Sequence, residues 1–300
     1  MKLPPHIKLL DLNFQGNDHT VAAFLLESSD GPVLVETGPH STLVQLEAGI
    51  RATGYTPEDI RHVLVTHIHL DHAGAAWVFA RQGATIYVHP LGAPHMQQPE
   101  KLYHSAKLIY KDQMETLWGD LQPIAEERLR TVAHQEKIQI GNLDFTAWHT
   151  PGHAVHHIAW QNGGDLFTGD VAGVRIHGGM VAAPCPPPDI HIPHWKESIA
   201  LIRRLSVERL WLTHFGSVSD IQTHLDELEF RLDKWAQWMW EPFSQGTSIE
   251  DITPLFQEFA ALELIEAGTG EFDMARYESA NPAWMSVAGL MRYWKKKTAV

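Results

Sequence analysis

Four side chains that can bind a metal ion fall within six residues of one short segment, residues 66–74. They are His67, His69, Asp71 and His72. A short apolar run at residues 63–65 precedes the segment, and a stretch that favours a helix, residues 73–81, follows it. A strand that ends in a loop rich in imidazole and carboxylate is typical of metal sites. The segment therefore predicts a strand end that carries metal ligands.

The spacing of these ligands favours two metal ions over one. His67 and His69 alternate along an extended segment, so both side chains can point in the same direction. Asp71 and His72 follow in the turn, and adjacent residues rarely bind the same ion together. Two ions that share this loop need further ligands, and we expect those at the carboxyl ends of other strands.

Three later segments each combine a predicted strand, a ligand and a glycine that lets the backbone approach closely. They are residues 150–153 with His153, residues 168–170 with Asp170, and residues 213–216 with His214. We predict that these three side chains complete the metal site.

This pattern resembles that of the metallo-β-lactamase-fold hydrolases, and within them the branch of glyoxalase II and N-acyl-homoserine lactonases. The matching blocks run from about residue 21 to residue 216. The resemblance implies an α/β fold, a four-layer αββα sandwich with the site at the edges of the sheets. It also implies the ligand sets: His67, His69 and His153 for one ion, Asp71, His72 and His214 for the other, and Asp170 as the bridge.

The resemblance further implies that a water or hydroxide between the ions is the nucleophile. Two ions about 3.5–4 Å apart lower the pKa of a shared water and polarise the carbonyl that it attacks. We assign Asp71 a second, catalytic role, which is to orient the nucleophile or to move a proton. Imidazole and carboxylate suit zinc, iron or manganese. We expect two divalent ions per chain, with zinc preferred.

Several positions depart from the pattern of these relatives. Glu36 stands where the superfamily commonly has Asp, and its longer carboxylate can still contact a ligand from behind. After Asp170 the chain lacks the Gly-, Cys- and Arg-rich stretch of glyoxalase II. We interpret Arg175 as a surface residue rather than as a residue that binds an anionic group of the substrate. The lactonases place a Tyr after the bridging Asp to hold the substrate carbonyl, and no Tyr occurs between residues 111 and 276.

The favoured function is therefore a dinuclear metal-dependent hydrolase that attacks an ester, thioester or lactone carbonyl of a small molecule. The alternative is a mononuclear iron persulfide dioxygenase, an oxidoreductase whose single iron would be bound by His67, His153 and Asp170. A third hypothesis is a binding protein that kept the fold without catalysis, which the intact ligand set disfavours.

Two parts of the chain interrupt the alternation of strands and helices. Residues 91–131 are largely polar and predict a helical cap inserted into a catalytic domain of residues 1–219. Residues 220–300 predict a helical, aromatic C-terminal extension. On its first helix Trp240 falls nearly opposite Trp238, which suggests a contact in a homodimer.

Composition limits the partners and the compartment. The formal net charge of −13 disfavours nucleic acid as a partner. No apolar run reaches the roughly 18 residues of a membrane span, and the N-terminus predicts no signal peptide. The single cysteine, Cys185, rules out an internal disulfide and fits a cytoplasmic protein. We expect Cys185 in a loop near the mouth of the site, and His156 and His157 are candidates for contacts that orient the ligands.

Overall fold

Apolar side chains alternate between two cores along the strands, which explains the formation of two facing sheets. In the computed structural model, which describes residues 4–299, the side chains of Ala22, Phe24 and Leu26 belong to one core. Those of Ala23 and Leu25 belong to another. Successive side chains of a strand point to opposite faces of its sheet. A strand that is apolar and buried at every position is therefore covered on both faces.

The first sheet contains six strands, whose spatial order follows their order in the chain. They are β1 (Ile7–Asp11), β2 (Ala22–Leu26), β3 (Val33–Val35), β4 (His62–Leu64), β5 (Thr85–Val88) and β6 (Leu129–Thr131). The first three strands pair antiparallel, and β3 through β6 pair parallel. The carboxyl ends of β3, β4 and β5 consequently lie at the same edge of this sheet.

The second sheet also contains six strands, and each again lies beside its neighbour in the chain. They are β7 (Lys137–Ile140), β8 (Leu143–His149), β9 (Ile158–Asn162), β10 (Asp165–Phe167), β11 (Arg209–Leu212) and β12 (Gly216–Val218). Only β10 and β11 pair in parallel among these strands. Trp160 and Phe167 of this sheet share one core with Phe24 of the first sheet, so the two sheets pack face to face.

Helices cover the outer faces of both sheets. Those that precede β11 are α1 (Leu43–Ala52), α2 (Leu70–Ala73), α3 (Ala76–Arg81), α4 (Ala93–Gln97), α5 (Glu100–Tyr110), α6 (Met114–Trp118) and α7 (Ile192–Arg204). Those that follow β12 are α8 (Ile221–Ser244), α9 (Ile249–Glu266), α10 (Glu271–Ala280) and α11 (Ala283–Thr298). Leu46 and Phe79 join the outer core of the first sheet, and Trp195 joins that of the second. Over residues 4–299, no helix is long and apolar enough to cross a membrane.

The predicted α/β sandwich with helices on both sides and a C-terminal helical extension is confirmed. Some local predictions were wrong. Residues 73–81 form parts of two helices, because Ala75 donates its N–H to the carbonyl of Gly38 rather than within a helix. Strand β6 ends the segment predicted as a helical cap, since it pairs with β5. The domain boundary at residue 219 stays a prediction.

A buried carboxylate holds the first two helices of the C-terminal extension together. Glu263 on α9 is buried, accepts a hydrogen bond from Trp235 Nε1 at 2.7 Å and forms an ion pair with Arg231. Trp240 lies on another side of α8, and its ring centroid is 4.7 Å from that of Trp294. The homodimer contact suggested for Trp240 stays a prediction.

Candidate metal centre

The seven predicted ligands lie together at the carboxyl ends of four strands. The loop after β4 carries His67, His69, Asp71 and His72, while His153 follows β8, Asp170 follows β10 and His214 follows β11. The strands are anchored in the core between the sheets, so the loops that follow them are held at one edge of the sandwich. Carboxyl ends of strands are the usual position of ligand sites in open α/β sheets.

The potential ligand atoms form two groups, and within each group they lie within 4.8 Å of one another. The first group is His67, His69, His153 and Asp170, and the second is Asp71, His72 and His214. In the first, His153 Nε2 lies 3.1 Å from His69 Nδ1. In the second, His214 Nε2 lies 3.4 Å from Asp71 Oδ2. Ligand atoms about 2.0–2.1 Å from a tetrahedral zinc ion are about 3.3 Å apart, so the spacing suits one ion in each group.

Asp170 connects the two groups through its two carboxylate oxygens. Oδ2 lies 3.2 Å from His153 Nε2 in the first group. Oδ1 lies 3.2 Å from His72 Nε2 and 3.4 Å from His214 Nε2 in the second. One side chain thus presents a different oxygen to each group, as expected of a bridging ligand.

Buried polar atoms without a hydrogen bond indicate that the residues present fit metal ions. Among the described residues, such atoms include His72 Nε2, His214 Nε2 and Asp170 Oδ1. Buried nitrogen and oxygen atoms are nearly always partnered, because an unpartnered one loses its hydration without compensation. These three atoms converge on one point, where a cation would satisfy them all.

In several of these imidazoles, the ring nitrogen that faces away from the centre forms a hydrogen bond that fixes the ring. His153 Nδ1 lies 2.9 Å from the carbonyl oxygen of Pro184, and His214 Nδ1 lies 2.6 Å from that of Thr20. A carbonyl oxygen can only accept a hydrogen bond, so Nδ1 carries the proton and Nε2 has a free lone pair. Such contacts orient the rings of metal-binding histidines and raise their basicity. Sequence inspection missed both partners, because a backbone carbonyl leaves no residue-type signal.

Glu36 is the carboxylate behind the second group. It is fully buried and accepts hydrogen bonds from Thr66 Oγ1 at 2.5 Å and from the Thr66 N–H at 3.2 Å. Its Oε1 also lies 3.1 Å from His72 Nδ1. The structure therefore gives Glu36 the supporting contact to a ligand that the sequence predicted. Thr66 was not predicted, although its place immediately before the ligand run was a usable signal.

The charges at the centre favour a bound cation. Burial alone would raise the pKa of Asp71, but His72 and His214 outweigh it and lower that pKa to about 2. Burial lowers the pKa of His69 to about 4, with His153 contributing, so this imidazole is neutral and has a lone pair to donate. Burial opposes charge on His72, yet Asp170 and Asp71 raise its pKa well above the usual value. The carboxylates thus create a negative field at the centre, which stabilises positive charge there.

Other candidate residues lie outside the two ligand groups. His157 Nδ1 lies 2.8 Å from Thr150 Oγ1, and the ring of His156 lies 5.9 Å from that of His69. Cys185 lies, as predicted, in a loop beside the centre, where its neighbours Pro184 and Pro186 line the cavity next to the metal ligands and Cys185 itself does not. Cys185 is fully buried against the C-terminal helices, where Ser286 accepts its N–H, and burial raises the pKa of its thiol. Arg175 forms an ion pair with Asp220 at 2.9 Å, but its side chain is only 14% exposed, so it is less of a surface residue than expected.

Gly152 positions the loop that carries His153. Its φ of 136° lies in the region that favours glycine, and a Cβ at this position would overlap the backbone of Trp195. We expect Gly152→Ala to displace His153 and to weaken metal affinity about 10- to 100-fold, as measured by competition with a chromophoric chelator. Gly163→Ala is the matched control, because Gly163 also has a positive φ but no atom near its Cβ position. Equal affinities for the two variants would contradict this role.

Comparison with known proteins places this geometry in a family context. The sequence profile of the metallo-beta-lactamase superfamily matches residues 16–214. The metallo-beta-lactamase fold-containing protein ST1585 of Sulfurisphaera tokodaii is 26% identical over 182 residues, which cover 57% of this chain and 67% of that protein. An N-acyl homoserine lactonase of Bacillus thuringiensis is 29% identical over 171 residues, 49% of this chain and 61% of the lactonase, so the chain spans less than two thirds of the lactonase.

A solved structure is similar over the entire chain. The metallo-beta-lactamase family protein TTHA1429 of Thermus thermophilus superposes with a TM-score of 0.69 at 19% identity, covering 100% of this chain and 96% of its own. At this identity the likeness shows a shared fold. Because it covers the whole chain, that shared fold includes the C-terminal helices.

Proposed function

This chain belongs to the metallo-beta-lactamase superfamily, and on that premise we propose that it is a dinuclear metal-dependent hydrolase. Its substrate is a small molecule with an ester, thioester or lactone carbonyl. The similarity to a lactonase over about half of the chain supports a lactone or a related acyl compound among these. Zinc is the proposed metal, since the two groups combine imidazole nitrogens with carboxylate oxygens at tetrahedral spacing.

The observation that carries this proposal is the position of Asp170 between two complete ligand groups. A mononuclear iron site needs only the first group. It would leave Asp71, His72 and His214 as a second group without an ion, at the desolvation cost of burying two imidazoles. The second group supports a two-ion site. Persulfide dioxygenases resemble this ligand pattern, so the number of bound ions decides between the two functions.

Two bound ions would supply an activated water and polarise the carbonyl that it attacks. The chain's own residues orient the reactants. Asp71 lines the substrate cavity, and its lowered pKa keeps it a carboxylate that accepts a hydrogen bond from the attacking water. Thr20, Pro184 and Glu36 hold the imidazoles in the orientation that directs a nitrogen at the centre.

Metal counting tests the proposal. We expect protein purified without added metal to hold two ions per chain, and the same protein after loading with zinc to turn over esters, thioesters or lactones. Elemental analysis and a substrate panel give the two measurements. One iron per chain together with oxygen consumption on glutathione persulfide would overturn the proposal and establish the oxidoreductase.

A further inference from the structure

A cavity of about 320 Å³ opens directly onto the metal centre, with His69, Asp71 and Asp170 in its wall. The rest of the wall comes from parts of the chain that are distant in sequence. They are Phe14, helices α5 and α6, the proline-rich loop of residues 184–188, and residues 278–285 of the C-terminal extension. The extension therefore borders the site, although it lies outside the residues that match the superfamily profile.

Aromatic rings join these parts into one continuous wall. The ring of Tyr110 on α5 lies 4.9 Å from that of Trp118 on α6 and 5.8 Å from that of Trp284 on α11. Phe14 stacks on Trp118 at 5.5 Å. The Tyr110 hydroxyl lies 3.3 Å from Met285 Sδ, a weak acceptor. These contacts link the inserted helices directly to the C-terminal extension, so the wall is packed and preformed.

The lining distinguishes apolar from charged ligands. Away from the metal centre it consists mainly of aliphatic, aromatic and proline side chains, and none of the described lining residues is Lys or Arg. Its carboxylates are Asp71 and Asp170 at the centre and the exposed Glu278. An anionic group in the apolar part would lose hydration without gaining a cationic partner. A neutral hydrocarbon group would gain from burial.

We propose that this cavity binds an uncharged, apolar acyl group of the substrate and that Trp284 of the C-terminal extension limits the length of that group. This inference rests on the proposed hydrolase function, because it takes the metal centre as the position of the reacting carbonyl. It names the substrate class that the metal ligands alone leave open. Substrates with a carboxylate on the acyl chain are excluded from the class.

The first experiment measures kcat/KM for a series of neutral esters with saturated acyl chains from acetyl to decanoyl. We expect kcat/KM to rise about two- to four-fold for each added methylene until the cavity is filled. The suberyl monoester, which carries a terminal carboxylate, should react at least about ten-fold more slowly than the octanoyl ester. No dependence on chain length, or equal rates for this pair, would overturn the proposal.

Variants test the contribution of the extension. Trp284→Ala should raise KM for the octanoyl ester at least about ten-fold more than it raises KM for the acetyl ester, and should allow longer chains to react. Trp240→Ala is the matched control, since it removes the same side chain from the extension at a position that does not line the cavity. Identical chain-length profiles for the two variants would contradict the role of Trp284.

A binding measurement separates failure of this inference from failure of the proposed function. Calorimetric titration with neutral octanamide and with the monoamide of suberic acid requires no turnover. If no ester is hydrolysed by the zinc-loaded protein but octanamide binds at least about ten-fold more tightly than the acid, the cavity inference stands and the hydrolase proposal fails. If esters are hydrolysed but the two amides bind equally, the cavity inference fails alone.

Discussion

Asp170→Ala is expected to lower kcat/KM of the metal-loaded protein by about a thousand-fold and to reduce metal content to one ion per chain or less. Its two oxygens face different ligand groups at 3.2 Å, so no other side chain at the centre can replace both contacts. Metal ions supply several kcal/mol of transition-state stabilisation, and a loss of about 4 kcal/mol corresponds to about a thousand-fold in rate. Steady-state kinetics and elemental analysis measure the two effects.

A matched carboxylate variant controls for changes that are unrelated to the centre. Asp226→Ala removes an exposed carboxylate whose partner Arg203 keeps a second ion pair with Glu229, and exposed ion pairs contribute little. This variant should keep two ions and near-normal activity. Circular dichroism should show an intact fold for both variants. If Asp170→Ala retained two ions and more than about a tenth of the activity, the bridging role would be wrong.

Glu36→Ala is expected to lower the free energy of unfolding by about 3–5 kcal/mol, because it removes one partner from a buried, charged network. The change leaves the hydroxyl of Thr66 and Nδ1 of His72 without their acceptor inside the protein. His72 also loses the contact that orients its ring, so we expect metal affinity to fall about 10- to 100-fold. Urea unfolding of the metal-free protein separates the stability effect from the affinity effect.

Two further variants make this prediction specific. Glu36→Asp keeps the charge, and Asp tolerates a positive φ such as the 66° at this position, so it should retain most of the metal affinity. Glu58→Ala removes an exposed carboxylate from the same half of the chain and should change stability by no more than about 0.5 kcal/mol. A Glu36→Ala protein as stable as Glu58→Ala would show that the buried network contributes nothing.

The sequence predicted the larger elements where the pattern was strong. The strands predicted before the ligand run and before His153, Asp170 and His214 are found as β4, β8, β10 and β11, since each has apolar side chains that are buried. It missed short edge strands such as β1 and β12. A strand of three to five residues at the edge of a sheet has few buried positions, so its alternation is too short to recognise.

The ligands illustrate what a linear sequence can carry. Binding a metal ion requires particular side chains, and loops at strand ends concentrate them, so His67 through His72 were visible as a dense run. His153, Asp170 and His214 were visible by the same rule at three separate strand ends. Their assignment to the metal centre stays a prediction, but their convergence within the structure follows the expected grouping.

The sequence by itself therefore determined the chemical identity of the candidate centre and the class of fold, because both depend on residue types in local patterns. Only the tertiary structure decided what surrounds the centre. The carbonyls of Thr20 and Pro184 fix the imidazoles, and Tyr110 and Trp284 meet in one wall of the cavity. Such contacts join segments up to 194 residues apart. They depend on how distant elements pack, and packing leaves no periodic signal in any one segment of the chain.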